Sequence, residues 1–86
     1  MFLRVNYAQY LDVYRVHVAF NDGSEGDIDL SSSLSGEMFE PLRNVVYFKS
    51  FSIEGHTLTW PNGADFAPEY LHSLLQVPAG SSISKG

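Results

Sequence analysis

The sequence predicts an α+β domain: an antiparallel sheet of four to five strands built from hairpins, packed by a C-terminal helix and short helical turns. Three observations lead there. Period-two alternation runs through Tyr14–Phe20 and resumes after a turn at Glu25. A second alternating pair brackets Glu54-Gly55. An apolar stripe at helical spacing (Ala67, Tyr70, Leu71, Leu74 and Leu75) lies along the segment that Pro68 opens.

With 86 residues the chain has room for one core, so residues 1–78 read as a single domain and 79–86 as a flexible tail. At 44% hydrophobic residues it is too apolar to be disordered. There is no cysteine, which excludes disulfides and thiolate metal sites and suits a cytoplasmic setting. No apolar run approaches the ~20 residues of a membrane span, and the N-terminus lacks a basic-then-apolar signal pattern. The net charge is −5, and the five Lys and Arg are scattered at 4, 15, 43, 49 and 85. Such a surface repels phosphate backbones, so no direct nucleic-acid partner and no membrane are expected.

Phe2–Tyr7 alternates, with Leu3, Val5 and Tyr7 on one side and Arg4 and Asn6 on the other, which predicts a first strand; Ala8–Asp12 reads as a loose connection. Tyr14, Val16, Val18 and Phe20 then alternate with Arg15, His17 and Ala19, and Gly26, Ile28 and Leu30 alternate with Glu25, Asp27 and Asp29. Parity fixes the loop between them. A two-residue loop at Asp22-Gly23 would oppose Phe20 to Glu25 and mix the faces. A three-residue loop, Asn21-Asp22-Gly23, opposes Val18 to Gly26, Val16 to Ile28 and Tyr14 to Leu30, with Gly23 supplying the left-handed position. It also faces His17 with Asp27 and Arg15 with Asp29, ion pairs worth ~0.2–1 kcal/mol each on an exposed face.

Ser31, Ser32 or Ser33 can cap one short turn carrying Leu34, and Gly36 can end it. Met38, Phe39 and Leu42 offer buried anchors, while Pro41 forbids a long helix, so two short turns are expected. From Tyr47 to Trp60 a second hairpin follows. Phe51 and Ile53 face one way, Leu58 and Trp60 alternate with Thr57 and Thr59, and the loop must be even. A Glu54-Gly55 turn pairs Phe51 with Leu58 and Ser52 with Thr57, and sets Lys49 opposite Trp60, either over the indole or pointing to water. Pro61-Asn62-Gly63 turns the chain. Pro68 suits the first helical position and Asp65 is the expected cap, since Ala67 is a poor one; Pro78 ends the helix.

In order, these pieces resemble the bacterial domain-of-unknown-function family numbered 2442. The resemblance rests on a strand ending in Phe20, the Asp22-Gly23 turn, and a strand ending in Asp29-Leu30. Next come Phe39-Glu40-Pro41-Leu42, Trp60-Pro61-Asn62-Gly63-Ala64-Asp65 and Pro68-Glu69-Tyr70-Leu71. It runs over roughly residues 2 to 75, and only the ordered set is specific. The signature residues are therefore Phe20, Asp22, Gly23, Asp29, Phe39, Pro41, Leu42, Trp60, Asn62, Gly63, Asp65, Pro68 and Leu71. The resemblance implies a compact α+β domain. Some relatives carry an added helix-turn-helix domain and others look like one half of a toxin–antitoxin gene pair. This chain has no room for the added domain, so DNA reading does not carry over, and the family has no established catalytic residues to transfer.

Chemistry offers little else. His17, His56 and His72 are not at metal-ligand spacing. Glu25, Asp27 and Asp29, with Asp22 nearby, form a carboxylate ladder, but side chains two apart on a strand stand ~6–7 Å apart, so a solvated or aggregation-blocking edge explains them better than a cation site. Asp65 and Glu69 sit where a helix start favours negative charge, which leaves nothing for a catalytic pair to explain. No nucleophile elbow, P-loop or dinucleotide fingerprint is present. No catalytic, cofactor or metal residue is assigned. Phe2, Tyr10 and Phe48 fall outside the apolar alternation: either a partner covers them or the small sheet wraps them. The reading that follows is a non-enzymatic interaction module pairing with itself or a small partner protein, in the manner of an antitoxin. The alternatives are a small enzyme or metal-binding domain using Asp27, Asp29 and His17, and a transcriptional accessory that meets DNA only through a basic partner.

Overall fold

Alternation between apolar and polar residues becomes a three-stranded meander. In the computed structural model, which describes residues 2–75, β1 (Val5–Asp12), β2 (Arg15–Phe20) and β3 (Glu25–Asp29) pair antiparallel in the order β1-β2-β3. The β2–β3 register is the expected one: Val18 faces Gly26, Val16 faces Ile28 and His17 faces Asp27. Phe20 N–H donates to the Ser24 carbonyl at 2.8 Å around a three-residue loop, and Gly23 holds φ +92°. One face of this sheet is the core face, with Val16, Val18, Phe20, Ile28 and Leu30 buried.

β1 is longer than the alternation indicated and begins later. Ala8–Asp12 is strand, not a loose connection. Val5 pairs with Phe20 but Tyr7 with Ala19, and Tyr10 pairs with Val16 but Asp12 with Arg15, so Asn6 and Leu11 are extra residues in two bulges. The first bulge reverses the parity. Val5 is buried, whereas Tyr7, expected beside it, is 50% exposed, and Ala8 and Tyr10 turn to the core face instead.

The central segment forms 3-10 turns at Ser31–Ser33 and Glu37–Arg43, two short turns as expected. Leu34 and Leu42 are buried and Phe39 packs against the core, but Met38 is 49% exposed and is no anchor. The expected strand at Tyr47–Phe51 is instead a single helical turn, α1 (Val45–Phe48). Asn44 caps it, its Oδ1 accepting the Val46 and Tyr47 N–H groups at 2.9 and 3.4 Å, and this outweighs the strand preference of two valines.

A two-residue turn joins β4 (Ser52–Glu54) to β5 (Thr57–Thr59), so the loop is even, but it is Gly55-His56 and the register differs from the expected one. Ser52 pairs with Thr59 and Ile53 with Leu58; Lys49 is not opposite Trp60. Both turn residues have positive φ, +61° at Gly55 and +70° at His56, the geometry of a type I′ hairpin. The five strands thus form two sheets rather than one. Val5 N–H donates to the His56 carbonyl at 2.9 Å and links them.

The last described element is α2 (Pro68–Leu74), with Pro68 at its first turn and Leu71 fully buried. Truncating Leu71 to alanine would cost ~2–5 kcal/mol. Asp65 does not cap this helix: the N-cap is Ala67, without a side-chain bond, and the Asp65 backbone bridges to Thr59 instead. Pro78, the expected domain limit at 78 and the tail 79–86 lie outside the described residues. Among the described residues no helix is long and apolar enough to cross a membrane.

Candidate functional site

The Trp60–Leu71 stretch is a structural device. Trp60 is buried and its Nε1 donates to the Phe48 carbonyl at 2.8 Å. Gly63, with φ +90°, closes the turn by donating its N–H to the Trp60 carbonyl, and Trp60 N–H donates to Ala64. Asn62 works at both ends of its amide: Oδ1 accepts Ala64 N–H, and Nδ2 donates to the Met38 carbonyl at 3.0 Å, docking the turn on the second 3-10 segment. Phe39 stacks on Phe66 at 4.8 Å, and Phe66 stands edge-on to Trp60 at 5.7 Å. Leu42 and Leu71 are core; Pro41 lies within a 3-10 turn and Pro68 starts α2.

The remaining signature residues fasten the hairpin. Asp22 accepts the Ser24 N–H and hydroxyl at 3.0 and 2.6 Å, and its other oxygen lies 3.1 Å from His72 Nε2. These bonds, those from Ser24 first, hold the Asp22 carboxyl below its ordinary pKa. Phe20 packs edge-on to His72 at 5.1 Å. Asp29 accepts the Ser31 N–H at 2.8 Å, at the entry to the first 3-10 turn.

Chemically versatile groups gather on the open face of the three-stranded sheet. His17 Nδ1 lies 2.8 Å from Asp27 and Nε2 lies 3.0 Å from Glu25, so both ring nitrogens are engaged. The bond to Asp27, then that to Glu25, raises the His17 pKa above 6.5. Arg15 stands opposite Asp29 in the ladder, yet its guanidinium pairs with Asp12 at 3.0 Å and with Asp27 at 3.7 Å; the expected Arg15–Asp29 ion pair is not formed. The longer β1 brings Asp12 within reach, which the expected shorter strand did not. Among the described residues no group of three or more His, Asp and Glu is placed to hold a metal ion.

Residues 5–74 match the family described as protein of unknown function (DUF2442). The chain belongs to the DUF2442 family. No curated protein and no solved structure matches it.

The other half of the open face of this DUF2442 chain carries a single charge, Asp12, already paired with Arg15. Tyr7, Gln9 and Leu11 stand along β1, and the Tyr7 hydroxyl donates to Gln9 Oε1 at 3.0 Å. Val13, in the β1–β2 turn, is 58% exposed at φ +46°. Alternation broken by bulges hid this row, and only the continued Tyr7-x-Gln9-x-Leu11 period pointed to it. The aromatic residues left over by the sequence divide three ways. Phe48 is fully buried, Tyr10 packs edge-on to it at 6.2 Å with Lys49 Nζ 5.5 Å from the Tyr10 ring centroid, and Phe2 is exposed.

Proposed function

We propose that this DUF2442 chain is a non-enzymatic protein-interaction module whose contact surface is the β1 half of the sheet, and that it serves as the antitoxin-like half of a two-gene system in the cytoplasm. One observation carries the reading. Tyr7, Leu11 and Val13 are exposed along β1 and its turn, where the one charge, Asp12, is paired with Arg15, while the groups able to do chemistry, His17, Asp27, Glu25 and Arg15, are committed to one another. Exposed aromatic and aliphatic side chains in a row are the usual material of a protein contact. The acidic balance of the chain suits a protein partner better than a nucleic acid.

Co-expression with the product of the adjacent reading frame tests both levels. A stoichiometric complex with the full chain, weakened by Tyr7→Ala, is the expected result, together with growth arrest when the neighbour is expressed alone. Absence of any complex, combined with a strictly monomeric chain, overturns the interaction reading; a harmless neighbour overturns the antitoxin part.

A further inference from the structure

The β1 strand has an outer edge as well as an open face, and its hydrogen-bonding direction follows from the neighbouring ladder. On β2, Phe20 N–H donates to Ser24 and the Tyr14 carbonyl accepts from Leu30, so the even-numbered residues of β2 bond toward β3. The odd-numbered ones, Arg15, His17 and Ala19, bond toward β1, where they face Asp12, Gln9 and Tyr7. Ala8 and Tyr10 therefore turn their N–H and C=O groups outward. Among the described residues the only backbone bond leaving this edge is at Val5, to His56; Asn6 through Asp12 has none.

Edge strands are commonly guarded by charge, proline, brevity or bulges. The two edges of this sheet differ in that respect. β3 carries Glu25, Asp27 and Asp29; β1 is eight residues long, contains no proline and bears no charge before Asp12, and its two bulges and the neighbouring β4–β5 hairpin leave Tyr7–Tyr10 as its regular run. In a chain of net charge −5 it is the edge of this sheet that an identical acidic molecule can approach without repulsion.

The unbonded stretch Asn6–Asp12 has Gln9 at its centre. We infer that β1 pairs antiparallel with the β1 of a second copy about a two-fold axis at Gln9, extending the sheet to the order 3-2-1-1-2-3. In that register Ala8 of each copy exchanges both backbone hydrogen bonds with Tyr10 of the other. Tyr7 meets Leu11 of the second copy on the open face, Gln9 meets Gln9, and Asp12 meets Asn6, so no like charges are opposed. The acidic β3 strands end at the two far edges. The inference rests on the interaction reading above and names its partner as a second copy. The contact is short, so the pairing belongs to the weak class of interfaces and depends on concentration.

Sedimentation velocity on the full chain, across dilute to concentrated samples, reads it directly. A monomer–dimer equilibrium is expected. Gln9→Lys and Gln9→Glu each set like charges at the axis and weaken the dimer about fivefold or more; an equimolar mixture of the two restores it. Gln9 is exposed, so both variants should fold, which circular dichroism checks. Independently, rising concentration should slow amide exchange at Ala8 and Tyr10 and leave Gln9, already bonded to β2, unchanged. A wild-type monomer throughout, variants that dimerise as the wild type does, a mixture no tighter than either variant alone, or Ala8 and Tyr10 exchange indifferent to concentration each overturns the pairing. A monomer that still binds the neighbouring gene product overturns this pairing alone and leaves the interaction reading standing.

Discussion

Trp60 donates its indole N–H to the Phe48 carbonyl across 2.8 Å, and the two rings lie 5.7 Å apart. This bond ties the one-turn α1 to the end of the β4–β5 hairpin. It lies inside the core, where a carbonyl without a partner is expensive. Trp60→Phe keeps an aromatic ring but removes the donor. The expected loss is about 1–3 kcal/mol for the orphaned carbonyl, with a further contribution from the smaller ring. Urea unfolding followed by circular dichroism measures it, since the chain has a single tryptophan and the variant has no indole signal. A loss under about 0.5 kcal/mol, the range of an ordinary surface substitution, would show that the bond contributes little.

Val13 adopts φ +46° although it is β-branched and largely exposed. The left-handed region costs a residue with a Cβ about 1–2 kcal/mol, and asparagine tolerates it better. Val13→Asn should therefore stabilise the domain by about 0.5–1 kcal/mol, or roughly 2–8 °C in thermal midpoint for a domain of this size. The two-residue turn between Asp12 and Arg15 accounts for the positive φ, and because Val13 also lies on the proposed contact surface the same change should weaken partner binding. A lowered midpoint would mean that Val13 makes stabilising contacts in the isolated chain.

How much of this was legible depends on how strongly each element constrains its own parity. The β2–β3 hairpin was, because shifting its loop by one residue would turn Val16 and Val18 to water. The β4–β5 hairpin was legible only as an even loop. Turns at Glu54-Gly55 and at Gly55-His56 leave the same faces paired, so alternation cannot separate them. The burial of Thr57, whose hydroxyl donates to the Phe66 carbonyl, is a tertiary fact absent from the local pattern. Alternation does not give the extent of β1 because each bulge resets the period. α1 was missed because Val45-Val46-Tyr47-Phe48 has strand propensity, and only Asn44 announced a helical turn. At the candidate surface, the His17–Asp27 contact followed from register, whereas the Arg15–Asp12 pair needed the longer β1.

His17 gives the stability a pH dependence with a definite sign. Its bonds to Asp27 and Glu25 raise the folded-state pKa above 6.5, so the folded chain binds the proton more tightly than the unfolded one. The contribution is complete below pH 6.5, provided the carboxylates stay ionised, and is lost as pH rises through the folded-state pKa. Arg15 at Asp27 keeps its charge throughout and does not reverse the trend. Urea midpoints should fall between about pH 6 and pH 8, and His17→Gln should flatten that fall. The pairs are partly exposed, so the effect is at most about 1 kcal/mol and shrinks in high salt. A midpoint rising over this range, or a His17→Gln profile parallel to the wild type, would remove His17 as the cause.

Gly26 sits on β3 opposite Val18, beneath the end of α2. A Cβ built there would come within 3.1 Å of Leu75 Cδ2, closer than side chains normally pack, but the obstacle is the tip of a flexible side chain. Two effects then compete in Gly26→Ala. Leu75 must yield slightly, while the unfolded chain loses conformational freedom worth about 0.4–1 kcal/mol. The two nearly cancel, and a change within about 0.5 kcal/mol is expected. Gly26→Leu has no such escape. It should lift α2 from the sheet, disturb the His72–Asp22 contact and cost about 1–3 kcal/mol. Pairing Gly26→Leu with Leu75→Ala removes the obstacle, so the double variant should recover part of the loss. That coupling is read as the departure of the double-variant unfolding energy from the sum of the single changes. Strict additivity would mean that the end of α2 does not rest on Gly26 in solution.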